Sequence, residues 1–199
     1  MDVVPLHVEQ AKAVDKDGNL ANICQGDARS LDFESDSMDA VLLLGPLYHL
    51  QERSDRIQAL KETHRVLKKD GLAFCAVISR FAPLLDGLRQ GLLSDPEFRE
   101  IAQKDLRDGK HLNPMEVPQY FTTAYMHRPE ELPEEIEEVG LRHWETVGLE
   151  GPAWLLGDFE EQWAHIEGRE IILEALRLIE GERTLIGVSA HILGIAQKI

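Results

Sequence analysis

Apolar residues along this chain fall into two rhythms, and their alternation predicts the architecture. The run Ala40-Val41-Leu42-Leu43-Leu44 rises without polar interruption, as a strand buried on both faces would. Gly45-Pro46 stops it, since glycine permits tight backbone geometry and proline ends a hydrogen-bond ladder. Leu20 to Gln25 reads as the strand before it, with Gly26-Asp27 as its exit, and Leu72 to Ile78 as the strand after it. Helical spacing fills the intervals. Leu6 to Lys16 follows Pro5, sets Leu6, Val8, Ala11 and Val14 on one side, and ends at Asp17-Gly18-Asn19. Ser54 to Lys68 turns Ile57, Leu60, His64 and Leu67 inward. Lys68 and Lys69 suit its C-terminal dipole, and Asp70-Gly71 its stop. Strand and helix in this order imply right-handed crossovers and a parallel sheet.

The character changes after Ser79-Arg80. Phe81 to Asp108 reads as helix in two pieces, hinged at Gly91 to Pro96. His111 to Tyr120 reads as a loop, and Phe121 to Met126 as a short extended segment. Pro129 opens a Glu-rich helix that Gly140 closes. Its glutamates, from Glu130-Glu131 through Glu134-Glu135 to Glu137-Glu138, read as a solvated face. Leu141 to Leu149 has β character, Pro152 to Glu182 is mostly helical, and Leu185 to Ala196 is the last strand candidate. Trp154 and Trp163, in the helical stretch, are expected to anchor a core.

Composition narrows the class. A chain of 199 residues, 43% hydrophobic and 29% charged, suits one soluble globular domain over 1–199, with helical insertions near 81–108 and 152–182. A formal charge of −15 argues against nucleic acid, which demands a concentrated basic surface. No apolar run reaches membrane-span length and no leader pattern opens the chain, so a cytoplasmic protein off the membrane is expected. Cys24 and Cys75 sit in predicted strands and read as free buried thiols. The eight histidines show no His-x-x-x-His or Cys-His pairing, so no metal site is expected.

In an open parallel sheet, ligands sit beyond the carboxyl ends of the strands. The stretch Gly26 to Leu50 supplies two such ends, one carrying Asp27 and the other Tyr48-His49. Tyr48 and His49 are therefore the candidate catalytic pair, a histidine near neutral pKa being suited to proton removal. The alternative for His49 is a helix-entry ring packed on the sheet. Tyr120, Tyr125 and His127 lie in a segment able to fold over the rim and orient a substrate, whereas His111 with Asn113 reads as loop hydrogen bonding.

These residues carry a family resemblance. Asp2 closes one strand, Gly26-Asp27-Ala28 the next, and Asp39-Ala40-Val41 opens the buried one. Leu67-Lys68-Lys69-Asp70-Gly71-Leu72 stands where an L-K-P-G-G junction would. A Pro129 to Leu132 helix start and Val139-Gly140-Leu141 lead into a late strand. In order and spacing this resembles the class I S-adenosylmethionine-dependent methyltransferases. The segment Leu42 to His49 is similar to a small-molecule-type subgroup with an L-G-P-L-Y-H-L stretch. The resemblance implies an α/β doubly wound, mostly parallel, Rossmann-like sheet with helical caps, S-adenosylmethionine as cofactor, and methyl transfer to a small-molecule acceptor. It implies that Asp2 accepts the ribose hydroxyls, that Asp27 and the Ala28 N–H meet the adenine after the Gly26 turn, and that Leu44 and Gly45 approach with backbone. For Asp27 the alternative is a carboxylate ordering its own turn.

The chain departs from the family in one respect. The family's first strand and its G-x-G-x-G loop should precede residue 1, and Gly45, Gly71 and Gly87 stand isolated. That strand would lie between those ending at Asp2 and Leu44, and its loss would leave two inner edges facing a gap. Three explanations follow: a longer protein of which Met1 is an internal residue, a partner chain or homodimer filling the gap, or a sheet that closes differently and binds no cofactor. The rival reading is a non-catalytic binding or oligomerisation module on the same scaffold. Asp2 and Asp27 on opposite sides of the molecule would remove the methylation reading altogether.

Overall fold

The computed structural model describes residues 1–199. Its helices are α1 (Pro5–Val14), α2 (Pro46–His49), α3 (Arg53–Val66), α4 (Ala82–Gln90), α5 (Pro96–Asp108), α6 (Glu131–Glu138), α7 (Phe159–Ala164) and α8 (Ile166–Arg177). Its strands are β1 (Met38–Leu44), β2 (Leu67–Ser79), β3 (Lys110–His111), β4 (Ala124–His127), β5 (Leu141–Gly148) and β6 (His191–Lys198). Short 3₁₀ turns join several of them.

The long strand β2 organises the sheet. β1 runs parallel along its first part, β4 continues the same side at Ile78 and Ser79, and β6 lies antiparallel on the other side, followed by β5. The path is β3-β4-β2-β6-β5, with β1 beside β2. Since β5 is antiparallel to β6, strands β1, β2, β4 and β5 all point one way, while β3 and β6 oppose them. This is the α/β, mostly same-direction sheet that the apolar runs imply. The helical pair hinged near Gly91 is present as α4 and α5, each closed by a glycine in the left-handed region.

Each face of the sheet meets a different environment. Leu43, Ala73, Cys75, Val77, Ile192 and Ala196 form one core with Ala59 and Leu60 of α3 and Leu132 and Ile136 of α6. Burial there pushes the Cys75 thiol up to about 12. On the opposite face, register sets Leu42 beside Phe74 beside Ile195, and Leu44 beside Ala76 beside Leu193. Leu42 and Leu44 are 66% and 56% exposed.

Several elements differ from the pattern-based expectation. Leu20 to Gln25 forms no strand, only one parallel bridge between Asp2 and Gln25. Two main-chain bonds close it, Asp2 N–H to Cys24 O and Gly26 N–H to Asp2 O, so Cys24 is half-buried rather than core. Helix α3 ends at Val66, and Leu67 to Asp70 are already extended or turning, with Asp70 at φ 65°. Gly71 is needed next, because a Cβ there would stand 2.9 Å from the Lys68 carbonyl oxygen and 3.0 Å from that of Asp39. Lys68 consequently pairs with Asp39 at 2.7 Å instead of capping a helix. The last strand starts at His191, after a 3₁₀ turn over Ile186–Val188.

The glutamates of α6 are not all solvated. Glu131 and Glu135 share the inward stripe with Leu132 and Ile136, one helical turn apart. Glu135 is buried against Arg56 of α3 at 2.8 Å, and Glu131 meets Arg80 at 2.8 Å. Trp154 donates its indole N–H to the Val188 carbonyl, and Trp163 stacks on Phe159 beside the small core of Ala153, Ile172 and Leu176.

Candidate active site

The shared strand direction brings the carboxyl ends of β1, β2 and β5 to one lip, together with the amino end of β6. His191 stands opposite Ile78 near the end of β2, Gly148 opposite Ile192, and the Leu149 N–H donates to the His191 carbonyl at 3.0 Å. The chain leaves β1 through Gly45, at φ 151°, a conformation that favours glycine, and enters α2 directly. That turn delivers Tyr48 and His49 to the lip.

A row of polar groups results. The Tyr48 and His49 rings lie 4.7 Å apart, and the Tyr48 and His191 rings 6.3 Å. His191 Nδ1 meets Glu150 Oε1 at 2.6 Å. At the other end, burial holds the His49 pKa below the ordinary value, against the upward pull of the nearby Asp2 carboxylate. Burial raises the Tyr48 pKa. Asp2, His49, Tyr48, His191 and Glu150 thus form a chain of groups along the rim.

Beyond His49, the Asp2–Gln25 bridge sets Asp2 and Asp27 on the same small ribbon. Asp2 accepts from the Val4 N–H at 2.8 Å and meets His7 at 3.3 Å; the Val4 bond chiefly lowers its pKa, and the carboxylate remains 42% exposed. Asp27 is more heavily engaged. Its oxygens accept the Arg29 main-chain N–H at 2.8 Å and the Arg29 guanidinium at 2.7 to 3.1 Å, which hold its pKa down. Arg29 also reaches Asp55 at 2.9 Å. Asp27 therefore orders its own turn. A Cβ at Gly26 would overlap the Met1 side chain, so that side chain lies directly over the turn.

The three substrate candidates from the lid segment are not together at the rim. Tyr120 is buried against Phe98, its hydroxyl bonded to Asp95, the N-cap of α5, and its pKa is pushed up to about 12 chiefly by that bond. His127 is fully buried beside Glu135, and burial lowers its pKa. Tyr125 is covered by the Arg56 guanidinium 3.7 Å above its ring and bonded to Arg80 at 3.0 Å. These side chains are committed to the interior, where a buried ionic network needs every partner it has. His111, likewise, is buried between Asp105 and the Tyr120 carbonyl. Pattern reasoning missed Glu150 and His191, which lie 41 residues apart in sequence. His191 lies inside the last strand candidate, Leu185 to Ala196, where it carried no separate signal.

Strand order and direction define a Rossmann-like α/β domain. Residues 1–75 match the methyltransferase domain family. No curated protein sequence matches the chain. Among solved structures, it is similar to a SAM-dependent methyltransferase from Methanosarcina mazei, 15% identical over 100% of this chain and 80% of that one, with a TM-score of 0.60. A protein of Pyrococcus horikoshii is 15% identical over 99% of this chain and 69% of its own, TM-score 0.58. A SAM-dependent methyltransferase from Thermotoga maritima, described as a possible histamine N-methyltransferase, is 16% identical over 96% and 70%, TM-score 0.50. The resemblance seen in the sequence is borne out: the amino-terminal part matches the methyltransferase domain, and the whole chain has the fold of class I S-adenosylmethionine-dependent methyltransferases.

The rim fits that cofactor unevenly. Asp2 has lone pairs free for ribose hydroxyls, and Gly45 leaves room, a Cβ there meeting only the Tyr48 hydroxyl at 3.6 Å. Asp27 would have to share its carboxylate with Arg29. The 199 residues contain no glycine-rich loop to present N–H groups to the amino-acid end. No helix is long and apolar enough to cross a membrane.

Proposed function

We propose that this chain supports methyl transfer from S-adenosylmethionine to a small-molecule acceptor at the rim, with weakened hold on the cofactor. The observation that supports the reading is the ribbon shared by Asp2 and Asp27, with the Asp2 carboxylate near enough to His49 to pull on its titration, so that a carboxylate suited to ribose would stand beside the Tyr48-His49 turn. Asp2 binds the ribose, while Gly26, Asp27 and Ala28 border the adenine. Leu44 and Gly45 line the approach, and Tyr48 and His49 contact the acceptor. The bound cofactor supplies the activated methyl group, and the protein's part is alignment of the acceptor and removal of its proton. Calorimetric titration with S-adenosylmethionine tests this: weak binding that Asp2→Asn abolishes is expected, and heat unaffected by that substitution would overturn it.

A second reading, the oligomerisation module, is favoured by one observation, the exposed Leu42 and Leu44. Sedimentation of the chain over a range of concentrations separates the two. A homodimer that dissociates in Leu42→Lys would support it, and a monomer at all concentrations would remove it.

A further inference from the structure

The lip holds one proton-handling device that the methyltransferase reading does not assign. Glu150 follows β5 and accepts from three groups of the β6 approach: the Ser189 hydroxyl at 2.9 Å, the His191 N–H at 2.8 Å and His191 Nδ1 at 2.6 Å. A carboxylate only accepts, so Nδ1 carries the hydrogen, and the neutral imidazole presents its lone pair at Nε2. Nε2 has no partner within the protein, and the His191 side chain is 40% exposed. The contrast with His111 is instructive. That ring also meets a carboxylate, Asp105, at 2.7 Å, but its second nitrogen bonds the Tyr120 carbonyl at 2.6 Å and it is buried. One pairing is closed and structural, the other is open at its far nitrogen.

The neighbours of His191 also describe what would stand there. The Tyr48 ring lies 6.3 Å away with His49 beyond it, and Tyr48 packs on the apolar group of Ile78, Ala82 and Met126 together with Ala190. Flat rings and small apolar side chains suit a planar aromatic acceptor. The titratable groups facing His191 are Glu150 from the loop after β5 and Tyr48 from α2.

We infer that His191 is the catalytic base of this rim, its Nε2 taking the proton from an aromatic hydroxyl bound against Tyr48, with Glu150 as its positioning residue. The inference rests on the methyl-transfer reading for the fate of the deprotonated oxygen. The O–H bond breaks with its electron pair left on oxygen, the proton passes to Nε2, and Glu150 holds the resulting imidazolium. With the cofactor bound, the methyl carbon would accept the oxygen's pair and the carbon–sulfur pair would return to sulfur. Bonding to Glu150 raises the His191 pKa, so the ring is a stronger base than free histidine, and it works above that raised value.

The test uses 4-nitrophenol, whose ionised form is coloured, with the whole chain at a pH just below that at which the free phenol ionises. Wild type is expected to increase the phenolate absorbance on binding. His191→Gln is expected to abolish the increase. Glu150→Gln should move the wild-type pH response to lower pH, and Glu150→Asp restore it in part. Nuclear magnetic resonance titration of the eight histidines supplies the second reading. His191 should titrate above the ordinary value in wild type and at lower pH in Glu150→Gln, with the other rings unmoved. No spectral change in wild type, a change that survives His191→Gln, or a His191 midpoint indifferent to Glu150→Gln would overturn the inference. Calorimetry with S-adenosylmethionine runs alongside. Cofactor binding without phenol ionisation overturns the base and spares methyl transfer. Phenol ionisation without cofactor binding supports the base and overturns methyl transfer.

Discussion

The two faces of the central sheet differ in what covers them. One is sealed by α3 and α6, so that Leu43, Ala73, Cys75 and Ile192 meet Leu60 and Leu132 in a dry core. The other presents Leu42 and Leu44 of β1 beside Phe74, Ile195 and Leu193 without an equivalent layer. Parallel strands in α/β proteins are usually covered on both faces, and for that reason read as unbroken apolar runs. Ala40 to Leu44 is such a run, with only half of it satisfied. The sequence of β1 is that of an inner strand, while its surroundings are those of a surface.

The largest expected effect lies on the sealed side. Arg56→Ala leaves Glu135 buried with its main partner gone, and a loss of about 3–5 kcal/mol in urea denaturation is expected. Leu60→Ala, fully buried between α3 and the sheet, should lower stability by about 2–5 kcal/mol. The rim contributes less. Glu150→Gln should lower stability by about 0.5–1 kcal/mol, small because the pair is partly solvated. The sign follows from linkage: the Glu150 pKa is lowered, since bonds from the His191 ring and main chain and from Ser189 outweigh the effect of burial, whereas that of His191 is raised. The contribution of Glu150 is lost as pH falls through its folded value, and that of His191 as pH rises through its folded value. The difference between wild type and Glu150→Gln is therefore greatest between the two, in mildly acid solution. The smallest effect belongs to the open face: Leu42→Ala should change stability by less than about 0.5 kcal/mol. A loss as large as that of Leu60→Ala would mean that this face is covered in solution, and the comparison would fail.

The sequence made the local elements legible where one physical signal dominated. The unbroken run to Leu44, the stop at Gly45-Pro46 and the hinge at Gly91 all carry their own chemistry, and each is present. The strand Leu20 to Gln25 was misread because β structure depends on neighbours, and here Asp2 is its one bridge partner. The glutamates of α6 looked solvated because nothing local signals that Arg56 and Arg80 will face them. Tyr48 and His49 reached the rim as expected because the same short turn carries both. Tyr120 and His127 did not, since burial against Phe98 and Glu135 is decided by distant packing. The pairing of Glu150 with His191 depends on β5 and β6 lying side by side, which no spacing rule encodes.

The most direct measurement is calorimetric titration of the 199-residue chain with S-adenosylmethionine, in wild type and Asp2→Asn. Binding weaker than about 0.1 mM that disappears in the variant is expected. Binding tighter than about 1 µM, or binding that is equal in the two proteins, would contradict it.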